Sequence, residues 1–183
     1  MDTSITEPRT AWNAEAVADF ANGNLDILVL ERHHLADVSS AVESGRIHEY
    51  LAPISREKVS FEVRGGLGEL RIKSPELTED ISGLATSFLD QFDLEHARMR
   101  IEVTRTQSCP KFHSDNVNIR LVTTYAGPAT EYQFAGETTV QRAPVGGLVF
   151  LKGSRNPTHR DSIHHRSPEV PDGEKRLCVA IDY

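Results

Sequence analysis

The chain has 183 residues, 38% of them hydrophobic and 26% charged, with a formal net charge of −7. That is enough apolar residue to bury a core, which excludes a disordered chain. The spread-out acidity offers no basic face for a nucleic-acid backbone, so no nucleic-acid partner is expected. No apolar run reaches the ~20 residues of a membrane-spanning helix. The start, Met1 to Glu7, lacks the basic and apolar regions of a secretory signal, and a cytoplasmic location is the expectation. Cys109 and Cys178 are the only cysteines; without a CxxC pair a four-thiolate zinc site is excluded, and a reducing compartment argues against a disulfide.

In chain order, Ala11 to Phe20 reads as a short helix and Leu25 to Leu30 as a buried strand. Leu35, Val38, Val42 and Leu51 suggest a helix interrupted or ended near Gly45. Val59, Phe61 and Val63 alternate with polar residues as in a half-buried strand; Gly65-Gly66-Leu67-Gly68 then predicts a turn, with Glu69 to Ile72 pairing back as a hairpin. Ser74-Pro75-Glu76 is a helix start, a capping hydroxyl followed by proline and an acid, and Leu77, Ile81, Leu84, Ala85 and Phe88 follow at helical spacing. Beyond residue 97 the pattern turns to strands: Met99 to Val103, Asn118 to Tyr125, Thr138 to Arg142, Leu148 to Lys152 and Arg176 to Asp182, separated by proline and glycine clusters. The expected architecture is α+β and a single domain over 1–183. A mixed helix and strand part covers about 10–96, and a double-stranded β-helix (jelly roll, cupin-like) covers about 97–183, with the N-terminal helices packed on the sheet.

The chemistry concentrates in Cys109-Pro110-Lys111-Phe112-His113-Ser114-Asp115. In a strand, His113 and Asp115 share a face and can share one metal ion, and an imidazole with a carboxylate suits iron, zinc or manganese. His165 follows 50 residues after Asp115, and Arg176 opens the last predicted strand. Two histidines and a carboxylate make the facial triad of non-haem iron sites; an arginine nearby can grip a carboxylate with its forked donors. This order resembles the 2-oxoglutarate-dependent iron oxygenases. That resemblance implies Fe(II) on His113, Asp115 and His165 and 2-oxoglutarate on Arg176. Read as a surface residue, Arg176 would instead pair with Asp172 or Glu174. His164 competes with His165, since neighbours in a strand face opposite ways. Cys109 is a candidate fourth ligand that would close the site around zinc, with a buried small hydrophobe as its alternative role. Cys178 alternates with Arg176 and Ala180, a phase in which it could line the same cavity, and is expected to pack. His33, His34, His48 and His96 are expected at the surface, and His159 is a weaker ligand candidate.

The run from Cys109 to Glu131, with Leu151-Lys152-Gly153, His165-Arg166-Ser167-Pro168, Gly173 and Arg176-Leu177, resembles the bacterial family known as domain of unknown function 1826. Ala129 and Tyr132 depart from that family's usual glycine and tryptophan and leave the candidate ligands untouched. The resemblance implies a link to metal supply, since some relatives are encoded near zinc-homeostasis GTPases, and so a zinc-binding protein of storage, sensing or delivery as the alternative to an oxygenase. An unbroken strand from the motif would put Thr123 and Tyr125 on the face of His113 and Asp115, where they could bind the co-substrate. Arg120 would then face away and form a structural ion pair. A bend at Asn116 to Asn118 would reverse that phase.

Overall fold

The computed structural model describes residues 12–33, 35 and 38–183; Ala11 and His34 lie outside them. Asn13 opens α1 (Ala14–Asn22) by accepting the Ala16 amide at 3.0 Å. β1 (Ile27–Leu30), α2 (Val38–Glu43) and β2 (His48–Ile54) follow, so Leu51 belongs to a strand and not to the helix expected around it. The segment read as strand, glycine turn and hairpin is one helix, α3 (Val59–Glu69). Val59, Val63, Leu67 and Leu70 are buried, while Phe61 is 74% exposed; this is a helical stripe that the alternating reading also fitted. Glycine costs a helix about 1 kcal/mol relative to alanine, yet Gly66 has a packing reason to be there. A Cβ on it would stand 2.6 Å from Tyr50 Cδ1, so its bare backbone lets α3 lie on β2. α4 (Pro75–Gln91) begins as the sequence predicts: Ser74 Oγ accepts the Leu77 amide at 3.2 Å.

The remaining elements are strands: β3 (Ala97–Thr104), β4 (Ile119–Ala126), β5 (Glu131–Phe134), β6 (Gln141–Arg142), β7 (Leu148–Lys152), β8 (Ile163–Arg166) and β9 (Arg176–Asp182). Six form one sheet in the order β1-β7-β4-β9-β3-β2, and β6-β5-β8 form a smaller one; all neighbours are antiparallel. Side chains alternate between faces. On β9, Leu177, Val179 and Ile181 join the large core with Phe20, Leu77, Ile81 and Phe88 of the helices. Cys178 and Ala180 join a second cluster with Val122, Val149, Leu151 and, from the smaller sheet, Ile163 and Tyr132. The larger sheet thus carries helices on one face and the smaller sheet on the other. Among the described residues no helix is long and apolar enough to cross a membrane.

The smaller sheet does not reach the β3-β2 side. Arg100 lies opposite both Ala180 and Leu51, and directly opposite residues share a face. Leu51 is nevertheless 61% exposed. The uncovered end of this face borders the site.

Candidate metal centre

After β3 the chain loops out and returns beside β8. His113 and His165 are an isolated antiparallel pair: His113 N donates to His165 O at 3.1 Å, and His165 N to His113 O at 3.0 Å. Opposite side chains share a face, and the two rings stand 4.6 Å apart. Phe112 and Arg166, one position out of phase, meet on the other face with the guanidinium 4.4 Å from the ring centre.

Asp115 is held by its own backbone. Ser154 N donates to Asp115 O at 2.8 Å, Gly153 N to Asn118 O at 2.9 Å and Arg155 N to Val117 O at 3.1 Å. A Cβ at Gly153 would lie 2.3 Å from Val117 O and 2.6 Å from Asp115 O, so only glycine lets the β7 exit lie against this turn.

The side chains converge. One ligand atom from each of His113, Asp115 and His165 lies within 4.8 Å of the others. His165 Nε2 is 3.1 Å from Asp115 Oδ2, and His113 Nε2 is 3.5 Å from Asp115 Oδ1. Ligands ~2.0–2.2 Å from one ion sit roughly 3 Å apart when adjacent, so the set fits a divalent metal. Two details add to the fit. The His113 Nδ1 hydrogen points at the Lys111 carbonyl, 2.8 Å away, which leaves Nε2 with its lone pair free toward Asp115. Asp115 Oδ2 is buried, with His165 Nε2 3.1 Å away but no aligned hydrogen-bond donor. A cation would satisfy that oxygen. Burial raises the Asp115 carboxyl pKa, but His165, Arg120 and His113 outweigh it and hold the group at about 2, so Asp115 is ionised at neutral pH.

The surroundings sort the other candidates. His164 points outward to Asp161 Oδ1, 3.1 Å away. His159 sits between Asp26 and Asp161, 3.6 Å from each. Cys109 is exposed, with Sγ 3.8 and 3.9 Å from the His113 ring nitrogens, and falls outside the converging set. Cys178 is buried at the cavity wall.

Arg176 reaches the same cavity, which holds about 180 Å³ and is also lined by Arg100, Arg120, Thr130 and Arg166. Arg176 is 2% exposed. Its Nε donates to Pro128 O at 2.9 Å, and its Nη2 lies 3.4 Å from the Thr124 and Thr130 hydroxyls. Among the described residues it makes no ion pair with Asp172, Glu174 or any other carboxylate. A larger groove of about 720 Å³ lies on the helical face between α3 and α4 and contains no histidine or cysteine; size alone does not mark the chemistry.

Thr123 and Tyr125 are not at the site. The chain bends at Asn116 to Asn118 before β4 begins, which reverses the phase of the strand. Tyr125 Oη donates to Asp80 Oδ2 at 2.6 Å, and Thr123 Oγ1 accepts from Arg32 at 3.4 Å, both on the helical face. Arg120, expected to face away, faces the metal ligands: Nη1 is 2.7 Å from Asp115 Oδ1, while Nε and Nη2 hold Asp182 Oδ2 at 2.9 and 2.7 Å. Sequence reading missed Arg100, Thr124 and Thr130. Counting alternation backward from the apolar end of β4 would have put Thr124 beside Arg120 on the site face.

Helices on one face of an antiparallel sheet and a smaller sheet on the other form a fold shared with solved structures that include a prolyl-4-hydroxylase and a protein solved with 2OG and Fe. A Pseudomonas putida prolyl-4-hydroxylase matches with a TM-score of 0.50 at 12% identity, over 92% of this chain and 96% of the other. JOX2, solved with 2OG, Fe and JA, matches with a TM-score of 0.51 at 12% identity, over 92% and 70%. A looser likeness, TM-score 0.40 at 18% identity, is to a C-terminally truncated Neurospora crassa protein in its apo form; it covers 58% of this chain, which spans only 43% of that protein. At such identities the likeness is one of fold. By sequence the chain belongs to the family of proteins of unknown function DUF1826, matched over residues 13–182. No curated protein sequence matches it.

Proposed function

We propose that the protein is an Fe(II)- and 2-oxoglutarate-dependent oxygenase, its two sheets forming a double-stranded β-helix. His113, Asp115 and His165 would hold the iron, and Arg176 would hold the distal carboxylate of 2-oxoglutarate. The observation that carries this reading is Arg176: a buried guanidinium with only neutral acceptors around it, in the cavity of the three ligands. A buried charge without a counter-charge is costly, and a carboxylate ligand supplies one in forked geometry. Three protein ligands leave open coordination positions, and bound iron with 2-oxoglutarate and dioxygen would supply the oxidising chemistry. The chain's own residues do the positioning. Arg120 engages Asp115 Oδ1 and leaves Oδ2 for the metal; the Lys111 carbonyl fixes the His113 tautomer; Thr124 and Thr130 orient Arg176.

Calorimetry with Mn(II) in place of iron tests the reading. The expected result is 2-oxoglutarate binding that requires metal, with His113→Ala losing the metal. Arg176→Gln should keep the metal and bind 2-oxoglutarate at least about tenfold more weakly. Metal binding without 2-oxoglutarate binding would sink the oxygenase and favour the zinc reading with Cys109 as fourth ligand. That alternative rests on the closeness of Cys109 Sγ to His113, and its mark would be a cobalt-thiolate absorption band lost in Cys109→Ser.

A further inference from the structure

The cavity is at odds with the rest of the chain in charge. The protein carries −7 overall, yet the cavity is lined by Arg100, Arg120, Arg176 and Arg166, the last with its guanidinium turned away onto Phe112, and by one carboxylate, Asp115. Three of the arginines are accounted for. Arg120 bridges Asp115 and Asp182. Arg166 holds Glu131 at 2.8 Å. Arg176 faces the co-substrate position of the oxygenase reading. Arg100 is left. Its nearest carboxylate, Glu49, is 3.6 Å away, beyond hydrogen-bond distance, and that side chain is 48% exposed; Glu102 and Asp115 act on it only through space.

Arg100 also stands at a junction. A second cavity of about 180 Å³ is lined by Glu49, Leu51, Arg98, Arg100, Arg120 and Asp182. It shares Arg100 and Arg120 with the cavity of the metal ligands, so the two adjoin along the part of the sheet that the smaller sheet leaves uncovered. Arg98, Asp182 and Arg120 are register partners across β3, β9 and β4 and pair in a row, with Asp182 Oδ1 held by Arg98 at 2.7 Å and Oδ2 by Arg120. Arg100, one row closer to the core of the sheet, has no such row: its register partners are Leu51 and Ala180.

We infer that Arg100 receives an oxyanionic group, a carboxylate or a phosphate, of the primary substrate, which enters over the uncovered β3-β2 face toward the metal ligands. A loosely paired guanidinium at a cationic mouth attracts anions from a distance and binds them with two donors on arrival. Glu49 yields its place to the incoming group. The word substrate rests on the oxygenase reading; the anion site does not, and the two are separable by experiment.

The test titrates inorganic phosphate and, separately, acetate into the Mn(II)- and 2-oxoglutarate-loaded protein and into the metal-free protein. Wild type and Arg100→Gln and Arg100→Lys variants are compared. The expectation is single-site binding of at least one anion in both forms. Arg100→Gln should weaken it at least about tenfold and Arg100→Lys less, with 2-oxoglutarate affinity changed less than about twofold. The stronger of the two anions identifies the substrate group. Anion affinity unchanged in Arg100→Gln overturns the inference. So does an anion displaced by 2-oxoglutarate, which would place it on Arg176. If 2-oxoglutarate fails to bind while metal-free protein still binds the anion through Arg100, the oxygenase reading falls and the anion site stands.

Discussion

The two faces of the larger sheet treat buried charge in opposite ways. On the helical face Arg32 grips both oxygens of Asp80 at 2.8 Å and also donates to the Gly146 carbonyl, and Tyr125 completes the cluster through Asp80. The charges there are spent on fixing α4 to the sheet. On the opposite face Arg176 is as deeply buried and meets only a carbonyl and two hydroxyls. Thr123 and Thr124 are neighbours in β4, yet the first serves the closed cluster and the second the open one. A sheet makes this division at no cost in chain length, because alternate residues face opposite ways. The buried ion with a full set of partners is structural, and the proposed co-substrate would supply the counter-charge that the other lacks.

Three measurements could break or sharpen that contrast. The largest effect is expected from Asp80→Ala, which leaves Arg32 buried without its partner. Urea denaturation should show a loss of about 3–5 kcal/mol, with metal affinity retained; a loss below about 1 kcal/mol would mean the helical-face cluster is not structural. Arg176→Gln, by contrast, should change stability by less than about 1 kcal/mol or raise it, as removal of an uncompensated functional charge does. A loss as large as that of Asp80→Ala would erase the distinction between the faces. The smallest effect concerns acid titration of the metal-free protein. Asp115 titrates at about 2 in the folded chain, below the ~3.9 of an unfolded aspartate. Its contribution to stability is therefore present above about pH 4 and is lost as pH falls toward 2. Arg120→Gln removes one of the charges that depress it, so its carboxyl carbon should titrate at higher pH by NMR. An unmoved titration would mean that the histidines alone hold Asp115 ionised.

Legibility in the sequence followed the range of the interaction. α4 was readable because its signals, Ser74, Pro75 and the apolar stripe from Leu77, are all local. β3 was readable from its alternation. α3 was not, since three glycines in four residues imitate a turn, and only the distant ring of Tyr50 explains Gly66. The short β5 and β8 carry too few residues for a pattern, and a strand at β8 says only that His164 and His165 face opposite ways; the family resemblance is what favours His165. His113, Asp115, His165 and Arg176 could be nominated from residue type and order, and the structure brings all four to one cavity. The assignment of Thr123 and Tyr125 turned on one unseen bend, which moves every following side chain to the other face. Arg100 was invisible as a site residue, because its place depends on register with β9, which lies far along the chain.

The backbone pairing of His113 with His165 has a consequence for when the three candidate ligands meet. Some fifty residues of chain separate the two, and β9, the last of the described strands, must insert between β4 and β3 before the larger sheet is whole. During synthesis the His113-x-Asp115 half is made long before its partner and offers only two ligands. Convergence of the three side chains therefore waits until β8 has been made and has paired with the loop after β3. On the proposed reading, metallation is then a readout of this pairing, and a molecule in which the pairing fails would lack the ion.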